Sequence, residues 1–425
     1  MDQTQPFNIL GGAQYPWIQV LRGIAVSSVV LYHISPSVFP EGYLGVDVFF
    51  TISGFVIFPR IVGSVKDKSS NPYNQFKTFY KKRFYRIIPA LCATISTTTI
   101  FILIFGPLND QIRFSRDALS ALFGLGNFGA LRWAGNYFSP APNPMLHTWS
   151  LSVEEQIYLV APLFIYAVGR FVANLKIKKI IIFSTIGWSL AFYLFPTMYS
   201  PLSKWFGIYD PASFSYYSPT SRLWEFLIGG VIGTRFGSLR VSATESRSKN
   251  QSQLIIATFL SFVIFIPIHS QNKFFPILII AFYASLIAFT AKFKAIGNPL
   301  IKALKLLGDT SYSIYLFHFP IIYFVQSSII SIYVPNRIVR FWVTILLTLL
   351  IGITNYVCVE ETYRFAPKRE KIPRFTKFFS WVYRSNNGHS IIDVNLCTPT
   401  PNAPLSHRAD WQCEYIELGQ KLSIS

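Results

Sequence analysis

Residues 21–33 read LRGIAVSSVVLYH. Every residue but Arg22 and His33 suits a helix in lipid. The apolar run extends to 17–35, close to the ~20 residues that a spanning helix needs. Similar runs recur along the chain at about 43–63, 87–106, 148–170, 179–198, 217–236, 252–269, 275–291, 306–330 and 338–358. The hydropathy pattern therefore predicts an all-α fold, a polytopic transmembrane helix bundle of about ten spans. A shorter apolar stretch, 118–131, lies in the long connection 107–147 and is expected at the interface or as a re-entrant segment.

Composition agrees. The 425 residues are 51% hydrophobic, 17% aromatic and 13% charged. A soluble domain carries roughly 25% charged residues. The net charge of +19 would suggest nucleic acid as partner for a soluble chain. Here the basic residues flank apolar runs, as in cytoplasmic loops, and no nucleic-acid motif accompanies them, so no nucleic-acid partner is expected. With the N-terminus inside and ten spans, 26 of the 38 Lys and Arg residues fall in inner segments and 7 in outer loops. That bias predicts cytoplasmic N- and C-termini.

Residues 1–16 are polar and lack the basic start of a cleavable signal, so the first run is expected to stay as a helix. They form a cytoplasmic segment, followed by a membrane domain over 17–367 and a tail over 368–425. The tail is basic, then rich in Pro and Asn, and is expected to be a small appendage or largely disordered. Cys92 and Cys358 fall in apolar runs and read as packing residues. Cys397 and Cys413 can pair only in an oxidising compartment. No CxxC or His-rich cluster points to a metal.

Ionisable groups inside spans are costly and mark function by default. Arg22 and His33 are eleven residues apart, three turns plus about 20°, so they share a helix face some ~16 Å apart along the axis. Snorkelling of Arg22 and helix-end capping by His33 are the plainer explanations of each alone. Asp47, in GVDVFFTISGF (45–55), can fix the tautomer of His33. In YKKRFYRIIPAL (80–91), Arg83 and Arg86 share a face and suit a phosphate-bearing cytoplasmic ligand, although a basic inner loop needs no such reason. The densest group is MLHTWSLSVEEQIYLVAP (145–162), which places His147, Trp149, Glu154 and Glu155 at the outer end of a span. In PTSRLWEFLIGG (219–230), Arg222 and Glu225 are spaced for an internal ion pair. LGDTSYSIYLFHFP (307–320) places Asp309 and Ser311 near the inner end of the ninth span and His318 deeper.

Taken in order, these motifs resemble those of the acyltransferase-3 family, over about residues 17–367. The resemblance implies an integral-membrane O-acyltransferase in the bacterial cytoplasmic (inner) membrane. It implies transfer of an acyl group, most often acetyl, from cytoplasmic acyl-CoA to a sugar hydroxyl across the membrane. Acyl-CoA is then a co-substrate, and no permanently bound cofactor is expected. The family's essential Arg and His map to Arg22 and His33, and its RxxR motif to Arg83 and Arg86. On this reading Arg83 and Arg86 hold the CoA phosphates and Arg22 guides the donor's entry. His33 is a general base or carries the acyl group, and Asp47 or Glu154 orients it. Trp149 is a candidate to stack on the sugar, and His147, Glu155, Arg222 and Glu225 are assigned with it to the acceptor. The acceptor class stays open among lipopolysaccharide, peptidoglycan, capsule, periplasmic glucan and small glycosylated metabolites. Many members carry an extracytoplasmic esterase-like domain after the bundle, and residues 391–425 are read as its remnant or as an unrelated tail. The competing class is a transporter or flippase of a glycan or glycolipid, which also uses intramembrane charge. No internal repeat supports it.

Overall fold

Local sequence sets where the helices start. Asn71-Pro72, Asp210-Pro211 and Asn298-Pro299 each pair an N-cap side chain with a proline at the first helical position. The Asn or Asp oxygen accepts an N–H that the helix leaves unpaired, and Pro has no N–H to lose. Asn174 and Asn336 cap two further helices in the same way.

A computed structural model describes residues 16–66, 71–134, 143–207, 210–236, 274–290, 298–327, 330–365, 397–398 and 412–413. The longer helices are α1 (Pro16–Ile34), α2 (Gly45–Lys66), α3 (Pro72–Phe105), α4 (Leu108–Leu122) and, after the single turn α5 (Gly126–Gly129), α6 (Thr148–Phe171) and α7 (Leu175–Leu194). Two short helices follow, α8 (Ser200–Trp205) and α9 (Pro211–Tyr217). Then come α10 (Pro219–Phe236), α11 (Phe275–Thr290), α12 (Pro299–Asp309), α13 (Ser311–Ile322), α14 (Ile330–Tyr333), α15 (Arg337–Asn355) and α16 (Glu361–Phe365). The chain divides into two compact units, Met1–Arg369 and Glu370–Ser425. In the second, Cys397–Thr398 pairs antiparallel with Gln412–Cys413.

Among the described residues, six helical segments are long and apolar enough to cross a membrane: α1, α2 with the turn before it, α3, α6, α7, and α15 with its continuation to Arg364. The remaining expected spans differ for physical reasons. The 252–269 run lies outside the described residues. α11 has 16 residues, short of a full crossing. α10 has 18 residues, Pro219–Phe236, but carries three charges, Arg222, Glu225 and Arg235, so length and apolarity alone do not mark it as a span. The run 306–330 is broken at Thr310, whose hydroxyl bonds back to the carbonyls of Leu306 and Leu307 and competes with helix continuation. The third span is longer than expected. The basic residues 77–86 lie on the same 34-residue helix as the apolar run, about 50 Å of helix. The stretch 118–131 forms no span: it is shared between amphipathic α4 and the turn α5.

The helices approach closely where glycine permits. A Cβ on Gly54 of α2 would lie 1.8 Å from the Phe226 carbonyl oxygen, and one on Gly229 of α10 1.9 Å from that of Thr51. Gly23 of α1 and Gly308 of α12 make the same kind of contact, with Leu304 and Gln19 carbonyls. Small residues at helix crossings are how backbones meet when lipid offers no hydrophobic drive. Around these crossings Leu21, Ile24, Val48 and Phe55 are buried in one core, and Val29, Phe50, Trp149 and Phe226 in another. Outward faces stay apolar, as at Ile100, Leu103 and Ile104 of α3 and Leu346 and Leu350 of α15. Cys358 is exposed rather than packed.

Candidate active site

Arg22 and His33 do share a face, and α13 meets both. Arg22 donates from Nη2 to Ser311 Oγ at 2.8 Å. The His33 ring centroid lies 5.2 Å from that of His318. Ser311 and His318 are two turns apart on α13, so one helix covers both ends of the pair. Arg22 is therefore tied into the bundle rather than extended to headgroups. α1 is unbroken from Pro16 to Ile34, which keeps the two residues ~16 Å apart along its axis.

At the Arg22 end a group of guanidiniums gathers. Arg83 stacks on the Tyr158 ring at 3.4 Å and donates to Glu155 Oε1 at 3.3 Å, with Glu154 Oε1 at 3.7 Å. Glu154 also accepts from Ser53 at 2.6 Å and from the Tyr158 hydroxyl. The expected separation of Arg83 at the inner mouth from the two carboxylates at the outer end does not hold. Arg83 is eleven residues into α3, and Glu154 and Glu155 lie roughly 10 Å into α6, so the three meet about two turns or more inside the helix ends. Arg86, one turn on, makes no hydrogen bond or ion pair among the described residues. Its charged neighbours are Arg364, Arg22, Arg83 and Glu360. Glu360 ends a π-helical turn, Tyr356–Glu360, and accepts from Ser313 at 2.8 Å while Arg364 lies 3.9 Å from its other oxygen.

Asp47 is engaged elsewhere than at His33. It pairs with Arg222 at 3.0 Å, and Arg222 also reaches Glu225 at 3.2 Å and the Tyr216 carbonyl at 3.2 Å. Tyr216, Tyr193 and Trp149 surround the guanidinium at 4.8–5.7 Å. A buried guanidinium needs counter-charge, and Asp47 supplies it because the Gly54–Gly229 crossing brings α2 against α10. Trp149, expected at an outer mouth, is fully buried against Tyr216 and Tyr217.

His147 immediately precedes α6 and is fully buried. Its carbonyl accepts from the Tyr315 hydroxyl at 2.9 Å, and Tyr315 also meets Ser150 at 2.7 Å. Further along the same motif, Ser152 accepts from the Gly126 N–H and Gln156 donates to Gly124 and Asn127. Much of that motif thus anchors the 124–127 loop. Among the described residues no group of His, Cys, Asp and Glu is arranged to hold a metal ion.

The family model described as an acyltransferase domain, acyltransferase-3, matches residues 15–357. The chain belongs to the acyltransferase-3 family. It is 29% identical over 383 residues to the O-acetyltransferase OatA of Staphylococcus aureus, covering 84% of this chain and 59% of that protein. It is 28% identical over 382 residues to the putative peptidoglycan O-acetyltransferase YrhL of Bacillus subtilis, covering 87% and 56%. It is 29% identical over 378 residues to the peptidoglycan O-acetyltransferase OatA of Listeria monocytogenes, covering 86% and 57%. The chain thus spans under three fifths of the length of these relatives. No solved structure matches. The family match and the six helices long and apolar enough to cross a membrane support a multi-pass membrane protein of this family. Residues the sequence did not single out complete the arrangement: Glu360 and Arg364 beside Arg86, and Tyr315 beside His147, next to His318, which the sequence marks without a role. The legible signal was an acid and a base closing an apolar run at 360–364 and a tyrosine one turn before His318.

Proposed function

We propose that this protein moves an acetyl or similar acyl group from cytoplasmic acyl-CoA to a sugar hydroxyl of an exported glycan. It does so from the bacterial inner membrane, in a ten-span topology with both termini cytoplasmic. The charge bias supports that topology. The observation that carries the reading is Arg86, a partly buried guanidinium with no hydrogen bond or ion pair among the described residues, set among Arg22, Arg83 and Arg364 with Glu360 as the nearby carboxylate. Such a group calls for an anion with several oxygens, and arginine binds phosphate through paired hydrogen bonds. A pantetheine arm starting there has the reach to bring its thioester to His33, ~16 Å up α1.

His33 is the reacting imidazole on this reading, as base or as nucleophile. Its Nδ1 lies 2.8 Å from the Val29 carbonyl, an arrangement that puts the proton on Nδ1 and the lone pair on Nε2. Glu154 and Glu155 set the position of Arg83. Arg222 and Glu225 serve packing with Asp47, which leaves His147 as the acceptor-side residue. The relatives named for peptidoglycan make it the first acceptor to test.

The test uses membranes containing the full chain, labelled acetyl-CoA and isolated peptidoglycan or its lipid-linked precursor. Label is expected in the glycan and absent with His33→Gln. Full activity of His33→Gln, or absence of acetyl-CoA binding by the purified protein, overturns the reading.

A further inference from the structure

His33 does not stand alone. The rings of His33 and His318 lie 5.2 Å apart by centroid, and those of His318 and His147 also 5.2 Å. Phe319 packs against His33 at 4.8 Å and is stacked on His147 at 5.4 Å. His147 and His318 are fully buried. The reaction as described so far employs one imidazole, and the fold supplies three.

Hydrogen bonds define what His318 can do. Its Nδ1 lies 2.5 Å from the Tyr315 carbonyl. A carbonyl only accepts, so Nδ1 carries the proton and the lone pair is on Nε2. That Nε2 is buried and has no hydrogen-bond partner among the described residues. A buried polar atom left unmatched is costly and calls for an explanation. Among the described residues no carboxylate is hydrogen-bonded to His318, and the Tyr315 carbonyl alone orients its ring.

Transfer in one displacement needs one base, which takes the acceptor's proton as its oxygen attacks the thioester. Transfer in two displacements needs two groups. The nitrogen that holds the acyl group has spent its lone pair and cannot also accept a proton. We propose that the acyl group rests on Nε2 of His33 and that Nε2 of His318 is the base of the second step. This rests on the acyl-CoA reading above.

In the first step the His33 lone pair forms a bond to the acyl carbon, the C–S bond breaks, and CoA leaves as the thiolate. In the second, the acceptor oxygen bonds to the acyl carbon as its proton passes to His318. The C–N bond breaks and its electron pair returns to His33. His318 then releases one proton, and the thiolate takes up one. The net change is hydroxyl plus thioester to ester plus thiol, with no oxidant or other reactant.

The experiment is isotope exchange in the purified full chain, with acetyl-CoA, radiolabelled CoA and no acceptor. The wild-type protein is expected to move label into acetyl-CoA, because the first step reverses without acceptor. His318→Gln is expected to keep that exchange while its transfer to acceptor falls at least ~100-fold, the scale of a lost general base. His33→Gln is expected to lose both. A wild-type protein that acetylates acceptor yet shows no exchange overturns the proposal, and this arm stands even if His318→Gln fails to fold. Exchange surviving in His33→Gln overturns it too, since the acyl group then rests elsewhere. Failure of the wild type to bind acetyl-CoA strikes instead at the acyl-CoA reading.

Discussion

Arg222 and Asp47 meet at 3.0 Å between α10 and α2, with side chains only 3% and 5% exposed. The pair closes the helix crossing built on Gly54 and Gly229. Removing one member of such a pair strands the other charge away from water, at a cost of about 3–5 kcal/mol. Arg222→Met is therefore expected to lower the thermal midpoint in detergent steeply. Asp47→Asn is expected to cost less, because Glu225 remains on the guanidinium. Any protein that stays folded should keep its apparent KM for acceptor. A raised KM with an unchanged midpoint would return Arg222 to substrate binding.

The crossing itself is testable through its glycines. A Cβ at position 54 meets a backbone oxygen, which cannot swing aside as a side chain can. Overpacking of this kind costs about 1–3 kcal/mol or more. Gly54→Ala should reduce folded yield and thermal midpoint, whereas Gly63→Ala on the same helix should not, since a Cβ there meets nothing within 4 Å. Equal effects at both positions would mean that helix conformation, not close approach, is what matters.

These contacts show what the sequence could convey. The apolar runs of α1, α2, α6 and α7 announce themselves, because lipid demands length and hydropathy alone. The face shared by Arg22 and His33 follows from helix geometry on one element. The partner of Asp47 does not, since Arg222 is 175 residues away and only the crossing of α2 with α10 joins them. The same holds for His33 and His318. The break at Thr310 was hidden in an unbroken apolar run, because it depends on a hydroxyl returning to its own backbone. Trp149 looked like a surface aromatic because the burial of its surroundings was invisible to hydropathy.

The connection before α6 makes a pH-dependent prediction. Asp117 on α4 accepts from Asn143 at 2.6 Å, and Asn143 in turn accepts from the Met145 N–H, two residues before His147. Burial lifts the Asp117 carboxyl above its ordinary range, against the opposing pull of Asn143, Arg113 and Arg116. The folded segment thus holds a proton at pH values where the unfolded segment has lost it. Its stability is greatest below the ordinary carboxylate value and declines as pH rises through the folded value, then levels off. Hydrogen exchange across residues 108–122 should quicken over that interval beyond the intrinsic rate change. Asp117→Asn should remove the extra increase, and its persistence would assign the effect to another group.

Arg86 offers the sharpest test of the donor end. It has no hydrogen bond or ion pair to lose among the described residues; its removal relieves crowding with Arg22, Arg83 and Arg364 but also withdraws a favourable charge from buried Glu360, which keeps Ser313 and Arg364. These two effects oppose each other, so Arg86→Gln is expected to leave the thermal midpoint close to that of the wild type. Loss of a charge-assisted hydrogen bond to phosphate is worth about 1.5–3 kcal/mol, which corresponds to roughly 10- to 150-fold in affinity. The apparent KM for acetyl-CoA should rise on that scale with a smaller change in kcat. Arg83→Gln should differ, because it also frees Glu154 and Glu155 and so should lower stability as well. Repeating the measurement with acetyl-dephospho-CoA assigns the contact. If Arg86 binds the ribose phosphate, the substitution will have little further effect on that substrate. If it binds the diphosphate, the effect will persist in full. An Arg86→Gln protein with unaltered KM for both substrates would move the phosphate site away from this group of arginines.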